Sequence, residues 1–422
     1  MNKLNEILAK NVEGVPKAIV GFSQSVAFSH YNYFSAQLPI DPKTNKLVAG
    51  GIEEQTKQVF ENIASIVKEV GHVMSDIVKI TIFTTNLKNL EQIEKIQQKM
   101  FLTYKPVVTR VVVKNIPMQS LVQIEAVLTN GEGTIPNAPQ TGDLIKIVKE
   151  APEGNCFSHS VAFSHYNNLT TQLPIDPKTN KLVAGGIEEQ TKQALANIKS
   201  ILESMEVPLD DLVKVNIYVK SLKDKEDIKK VYKTFFPDSA IARAHGYFPA
   251  VSIIEVKDIY LGALVQIEGV VSHGDGTPPQ EIEDRHGIVI KASNTNKAPQ
   301  TCFSSQSVAF SHYNNISMQF PIDAKTNELV SKEFDMQAIK CLENIKSILE
   351  NINHKMDDVV KLNIFVKDLT KIDDLNSILK KYFSKTMPAG MIVELTNIEH
   401  GALIQMDAVV SNAEGTPPQN IK

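Results

Sequence analysis
The chain has 422 residues, of which 42% are hydrophobic and 22% charged, and a formal net charge of −4. This is a globular composition with room for two to four domains, and its scattered Lys and Arg argue against a large nucleic-acid interface, which needs clustered cations and interleaved aromatic residues. Met1–Val12 lacks the apolar core of a signal peptide and no stretch approaches the ~18 apolar residues of a membrane span, so no membrane contact and a cytoplasmic location are expected.

In chain order, Ser25–Leu38 reads as two short strands around a turn at Ser29–Asn32. Gly51–Gly71 places Ile52, Val59, Ile63, Ile66 and Val70 at helical spacing and ends on a glycine suited to a C-cap. Asp76–Leu87 alternates as a strand, Leu90–Phe101 is a second amphipathic helix, and strands follow at Val107–Val113 and Leu121–Leu128. This ββαβαββ order predicts an α+β domain, a sheet with both helices on one face.

The same pattern then repeats twice. SVAFSHYN occurs at Ser25–Asn32, Ser160–Asn167 and Ser307–Asn314; Gln37–Gln58 recurs unchanged as Gln172–Gln193, with a diverged copy starting at Gln319. The closing strands read LVQIEAV, LVQIEGV and LIQMDAV. Asp76, Asp211 and Asp358 stand 135 and 147 residues apart, whereas Gln123, Gln266 and Gln405 stand 143 and 139 apart. The middle copy therefore carries eight extra residues within Pro237–Phe248. Leading strands are expected at Leu144–Val148 and Ile288–Ile290, and linkers rich in Gly and Pro at Gly131–Gly142 and Gly274–Gln280. Three domains follow, over 1–133, 134–277 and 278–422. A sheet covered on one face leaves another to bury, which three linked copies can do against each other in a closed ring, an intramolecular pseudo-trimer.

The segments Phe22–Val26, Ser35–Thr44 and Asp76–Thr84, with the final QIEAV strand, resemble the RidA/YjgF (Rid) family, three times over and across essentially the whole chain. The resemblance implies a covalent version of the family's homotrimer, with three unequal small-molecule clefts and no cofactor. It implies hydrolysis of enamines and imines of 2-amino acids, which uses an arginine to clamp the substrate carboxylate and a glutamate in the last strand. A permanently charged, fork-shaped guanidinium suits the first task. Here the arginine position holds Val108, Val251 and Gly390, and the glutamate position holds Gln123, Gln266 and Gln405. A glutamine is neutral at every pH and cannot serve as acid or base. The cleft tyrosine aligns with Phe22, Phe157 and Ser304. The serine-glycine pair aligns with Ser35-Ala36, Thr170-Thr171 and Ser317-Met318, and a cleft asparagine survives as Asn376, with Glu94 and Lys229 in its place elsewhere.

Arg110 lies two residues after Val108, so strand alternation points it to the same face, as a carboxylate anchor or as a peripheral ion pair. Val251 and Gln266, with Ser252 beside Val251, are expected on adjacent strands facing one cleft. Each of Gln123, Gln266 and Gln405 either faces a ligand or satisfies backbone groups. Arg243 and His245 in the insertion fit a solvated loop, with a fold over one cleft as the alternative. His30, His165 and His312 recur in one turn, where surface exposure is the ordinary outcome and a metal the alternative, so no metal is expected. Cys156, Cys302 and Cys341 are too few and too unevenly placed for a disulfide framework or a cysteine zinc site.

The expected protein is a monomer whose interdomain clefts bind a small carboxylate or imine-like metabolite without hydrolysis. Its expected ligand contacts are Ser35, Arg110, Gln123, Thr170, Ser252, Gln266, Ser317, Asn376 and Gln405. The alternative is an imine deaminase working through Arg110.

Overall fold
The computed structural model describes residues 6–102, 104–130, 146–150, 156–205, 207–238, 247–272 and 290–412, with 146–150 described by backbone alone. The linkers, Arg243, His245 and the greater part of the insertion lie outside the described residues.

Copy one contains strands β1 (Leu8–Lys10), β2 (Ser25–Phe28) and β3 (Tyr31–Gln37), helix α1 (Ile52–Glu69), strand β4 (Ile77–Thr84), helix α2 (Leu90–Met100), and strands β5 (Val107–Val112) and β6 (Val122–Thr129). The sheet order is β1-β2-β3-β6-β4-β5. α2 carries the chain from β4 to its parallel neighbour β5, while β6 pairs antiparallel with β4. Copy two repeats this as β7 (Lys146–Glu150), β8 (Ser158–Phe163), β9 (Tyr166–Leu169), α3 (Ile187–Glu203), β10 (Leu212–Val219), α4 (Lys225–Phe235), β11 (Ala250–Glu255) and β12 (Val265–Ser272). Copy three supplies β13 (Lys291–Ser293), β14 (Ser307–Phe310), β15 (Tyr313–Ile316), α5 (Phe334–Asn351), β16 (Val359–Val366), α6 (Ile372–Leu379), β17 (Ala389–Glu394) and β18 (Ile404–Ser411).

The expected helices and strands are present except that the leading strand of copy three, expected at Ile288–Ile290, lies at Lys291–Ser293, with 288–289 outside the described residues; copy one also has a leading strand, Leu8–Lys10. Three residues are too few for a period-2 pattern to show. One expected neighbour relation is corrected: β10 lies between β11 and β12, so Val251 and Gln266 are not on adjacent strands.

Each sheet buries one face against its own helices. In copy one Val59, Ile63 and Ile66 of α1 and Ile93 and Ile96 of α2 pack on Ile80, Ile82, Ile124 and Leu128. The second faces are apolar too. Phe83, Tyr218, Phe365 and Met391 belong to one cluster drawn from all three copies, and Phe28, Tyr31, Phe163, Tyr166, Phe310 and Tyr313 to another. Removing these side chains from water is the main force holding the copies together, at about 25 cal/mol per Å² of apolar area. Among the described residues no helix is long and apolar enough to cross a membrane.

Candidate functional site
Three boundaries arise where β5, β11 and β17 meet the next copy, and they differ because their side chains differ. At the boundary of copies one and two, Thr170 Oγ1 accepts a hydrogen bond from the Val108 amide at 2.9 Å and donates to the Ser158 carbonyl at 2.5 Å. Arg110 Nε pairs with Glu94 Oε1 of α2 at 3.0 Å, its Nη2 contacts Cys156 Sγ at 3.0 Å, and its guanidinium lies 5.3 Å from the centre of the Phe157 ring. The guanidinium thus has partners within the protein, among them the ion pair with Glu94.

At the boundary of copies three and one, Ser35 Oγ accepts from the Gly390 amide at 2.9 Å and donates to the Ser23 carbonyl at 2.6 Å. The Phe22 ring fills the space beside Gly390: a Cβ placed there would lie 2.7 Å from Phe22 Cζ. Asn376 packs on Gly21, and its buried Oδ1 has no hydrogen-bond partner among the described residues.

The boundary of copies two and three is different. The residue equivalent to Phe22 and Phe157 is Ser304, whose hydroxyl accepts from the Val251 amide at 2.9 Å. Exchanging an aromatic ring for a hydroxymethyl group leaves space, and a cavity of about 280 Å³ opens beside Val251, Ser304, Ser317 and Met318. Two cations reach it from the first turns of α4, Lys225 and Lys229. Lys225 pairs with Glu399 of copy three, which also lies 3.0 Å from His400 Nε2. Lys229 pairs with the exposed Glu226 at 2.8 Å and lies 4.9 Å from the centre of the Phe303 ring. Cys302 stands at the same cavity; a hydrogen bond from Lys233, 3.0 Å away, is the main cause holding its thiol pKa below the usual value.

Burial first, then the Lys229 ammonium, push the pKa of Lys225 down to about 7. The Glu226 carboxylate opposes that shift. Burial and the same two ammonium groups lower the pKa of His400. The arrangement offers an anion two ammonium groups in a partly desolvated cavity, where charge-assisted hydrogen bonds are strongest. His400 is held in the left-handed region, at φ 61, in a short turn between β17 and β18.

Of the nine expected ligand contacts, Ser317 lines this cavity. The glutamines do other work. Gln123 Nε2 donates to the Ile392 carbonyl of copy three at 3.2 Å and Gln266 Nε2 to the Arg110 carbonyl of copy one at 2.7 Å. They staple one copy to another, and Gln266 faces copy one while Val251 faces copy three. The glutamine that copy three contributes is Gln405, whose buried Nε2 has no partner among the described residues.

Ser252 contacts two residues, Lys214 and Asp407, that line a second feature, a chamber walled by all three copies. The Ser252 hydroxyl donates to Asp407 and accepts from Lys214 Nζ at 2.8 Å. Three buried ion pairs run around the chamber in one direction: Lys79 to Glu268 at 3.3 Å, Lys214 to Asp407 at 2.9 Å and Lys361 to Glu125 at 2.8 Å. The acids two residues after the expected glutamate positions therefore join copies together. Lys225, Glu399 and His400 belong to no motif in the sequence; the one available signal is divergence between copies, since Leu90 and Ile372 stand where copy two has Lys225.

Comparison with known proteins follows the same threefold division. A family model described as endoribonuclease L-PSP matches residues 13–129, 148–273 and 295–412. A RutC family protein of Pyrococcus abyssi is 35% identical over 123 residues, 28% of this chain and 97% of the relative. The 2-iminobutanoate/2-iminopropanoate deaminase of Dermatophagoides farinae is 31% identical over 113 residues, 27% of this chain and 88% of the relative. A crystal structure of RidA from an Antarctic Psychrobacter is 30% identical, covering 29% of this chain and 99% of that one, with a TM-score of 0.28.

Proposed function
The chain belongs to the endoribonuclease L-PSP family as a three-copy Rid protein, and from that membership we propose that it binds a small carboxylate metabolite between copies two and three without hydrolysing it. The observation that carries this reading is the placement of Lys225 and Lys229 at a cavity that Ser304 leaves open. At the other two boundaries Phe22, and Phe157 beneath Arg110, occupy the corresponding space. Two ammonium groups beside Val251 can hold a carboxylate where the family arginine is absent. The deamination named for the mite relative also needs a proton carrier, and Gln405, the last-strand residue of copy three, carries no titratable proton.

Isothermal titration calorimetry with 2-oxobutyrate, together with the decay of 2-iminobutyrate generated in situ, tests the proposal. One binding site per chain with no acceleration of imine decay is expected. Rapid imine decay that disappears in Arg110→Ala would replace this reading with a deaminase acting at the first boundary.

The same proposal holds that the chain is a monomer, a covalent counterpart of the family's trimer. It is supported by the cyclic order of the three buried ion pairs, which engages every copy with both others. Light scattering should give 46.7 kDa, and a trimeric mass would overturn it.

A further inference from the structure
We infer that His30, His165 and His312 form a binding site for one borderline divalent cation, such as Zn²⁺, where the three hairpin tips meet. One ring nitrogen from each histidine lies within 4.8 Å of those of the other two. The ring centres stand 5.3, 5.4 and 5.5 Å apart, so no pair is favoured and the three imidazoles surround a common point. Nδ1 of His312 is buried with no hydrogen-bond partner among the described residues, in a setting where an orphaned ring nitrogen costs free energy. All three side chains are half-buried, which leaves a route for an ion from solvent.

The backbone behind the rings is over-determined. Each histidine is the second residue of a two-residue hairpin loop whose first residue, Ser29, Ser164 or Ser311, has φ of 48, 52 or 48. A non-glycine residue pays for that conformation unless its surroundings hold it, and such positions cluster at ligand sites. The Asn130 amide donates to the His30 carbonyl at 2.7 Å, and its Nδ2 donates to the Ser29 carbonyl at 2.8 Å; Asn412 does the same to His312 and Ser311, both at 2.7 Å. Tyrosines then tie the hairpins in a cycle: Tyr31 donates to the Phe163 carbonyl, Tyr166 to that of Phe310 and Tyr313 to that of Phe28. The result is three imidazoles on three mutually clamped turns, the order of construction of a preorganised ligand set.

Three histidines suit zinc, cobalt, nickel or copper in preference to the oxygen-seeking magnesium or calcium. Zinc–nitrogen bonds of about 2.0–2.1 Å require the nitrogens to close to about 3.4 Å, which side-chain rotation at the loop tips can supply. The fourth position would face solvent and take water or a small anion. This inference is independent of the carboxylate cavity, which uses none of these residues.

Chelator-treated protein titrated with Zn²⁺ and Co²⁺ provides the test. The expected result is one Zn²⁺ retained per chain through gel filtration, intense tetrahedral Co²⁺ absorption, and ¹⁵N shifts of the same three histidine rings in the unmodified protein. His312→Asn, a substitution compatible with a turn, should weaken binding by about 100-fold, whereas Lys229→Gln should leave it unchanged. Absence of stoichiometric binding, affinity unchanged in His312→Asn, or ¹⁵N shifts at other histidines alone would overturn the inference. If His312→Asn fails to fold, the ¹⁵N shifts of the unmodified protein decide.

Discussion

The Lys214 ammonium of copy two lies 2.9 Å from the Asp407 carboxylate of copy three, and both side chains are almost fully buried. Ser252 and Asn363 also donate to that carboxylate, so both of its oxygens are hydrogen-bonded. Removing one partner strands the other charge in a low-dielectric chamber, whereas removing both does not. Lys214→Met should lower stability by about 3–5 kcal/mol. Lys214→Met with Asp407→Leu should recover most of that loss in urea unfolding, and equal additive losses would contradict the pairing.

The same ring sets an acid limit. Burial raises the pKa of Glu268, but Lys79 and the hydrogen bonds from Thr109 and Asn216 outweigh it and hold the group below the usual carboxylate range. Burial likewise acts on Asp407 and is outweighed by Lys214, Ser252 and Asn363. A depressed folded pKa gives stability that is complete above the unfolded value of about 4 and is lost as the pH falls through the folded value. Urea midpoints should therefore decline below pH ~4, and less steeply in Asp407→Asn. A flat profile in the unmodified protein would refute the assignment.

Cysteine reactivity offers a separate reading of the cavity mouth. Lys233 lowers the pKa of the exposed Cys302, while burial raises those of Cys156 and Cys341. Thiolate is the reacting form, so iodoacetamide at neutral pH should label Cys302 first, and Lys233→Ala should slow that labelling several-fold. Peptide mass spectrometry showing equal labelling of all three would disprove the ordering.

Carboxylate affinity should fall as the pH rises. The ammonium form of Lys225 attracts the ligand, and burial with the Lys229 charge brings its pKa to about 7. Glu399, His400 and Cys302 from copy three and Glu226 from the same helix are titratable groups facing this pair. Affinity for 2-oxobutyrate should be highest below pH ~6 and weaken above neutrality as the ammonium is lost. Binding that strengthens with pH would reverse the assigned role of Lys225.

The fold was legible because each element advertises its own period. Ile52, Val59, Ile63 and Ile66 sit on the buried side of one helix, and the strand residues Ile80 and Ile82 on the buried face of one sheet. Repetition of SVAFSHYN then located the copies. The site was much less legible because it is made between copies: Lys225 and His400 lie 175 positions apart, and no period relates them. Strand order mattered too, since β10 separates Val251 from Gln266 and sends their side chains to different neighbours. Repetition carries a further signal: Lys79, Lys214 and Lys361 recur in step with Glu125, Glu268 and Asp407, and a charge kept in three copies of a largely apolar strand marks a shared partner.

The most direct measurement places the ligand. Met318 lines the cavity between copies two and three, whereas Met391 lines the central chamber. With methionine methyl groups labelled with ¹³C, 2-oxobutyrate should shift the Met318 resonance saturably and leave that of Met391 in place. In Lys229→Gln the Met318 response should require at least about tenfold more ligand, in line with the loss of a charge-assisted contact. A Met318 resonance that stays fixed at saturating ligand, or a response unchanged in Lys229→Gln, would contradict carboxylate binding at this cavity.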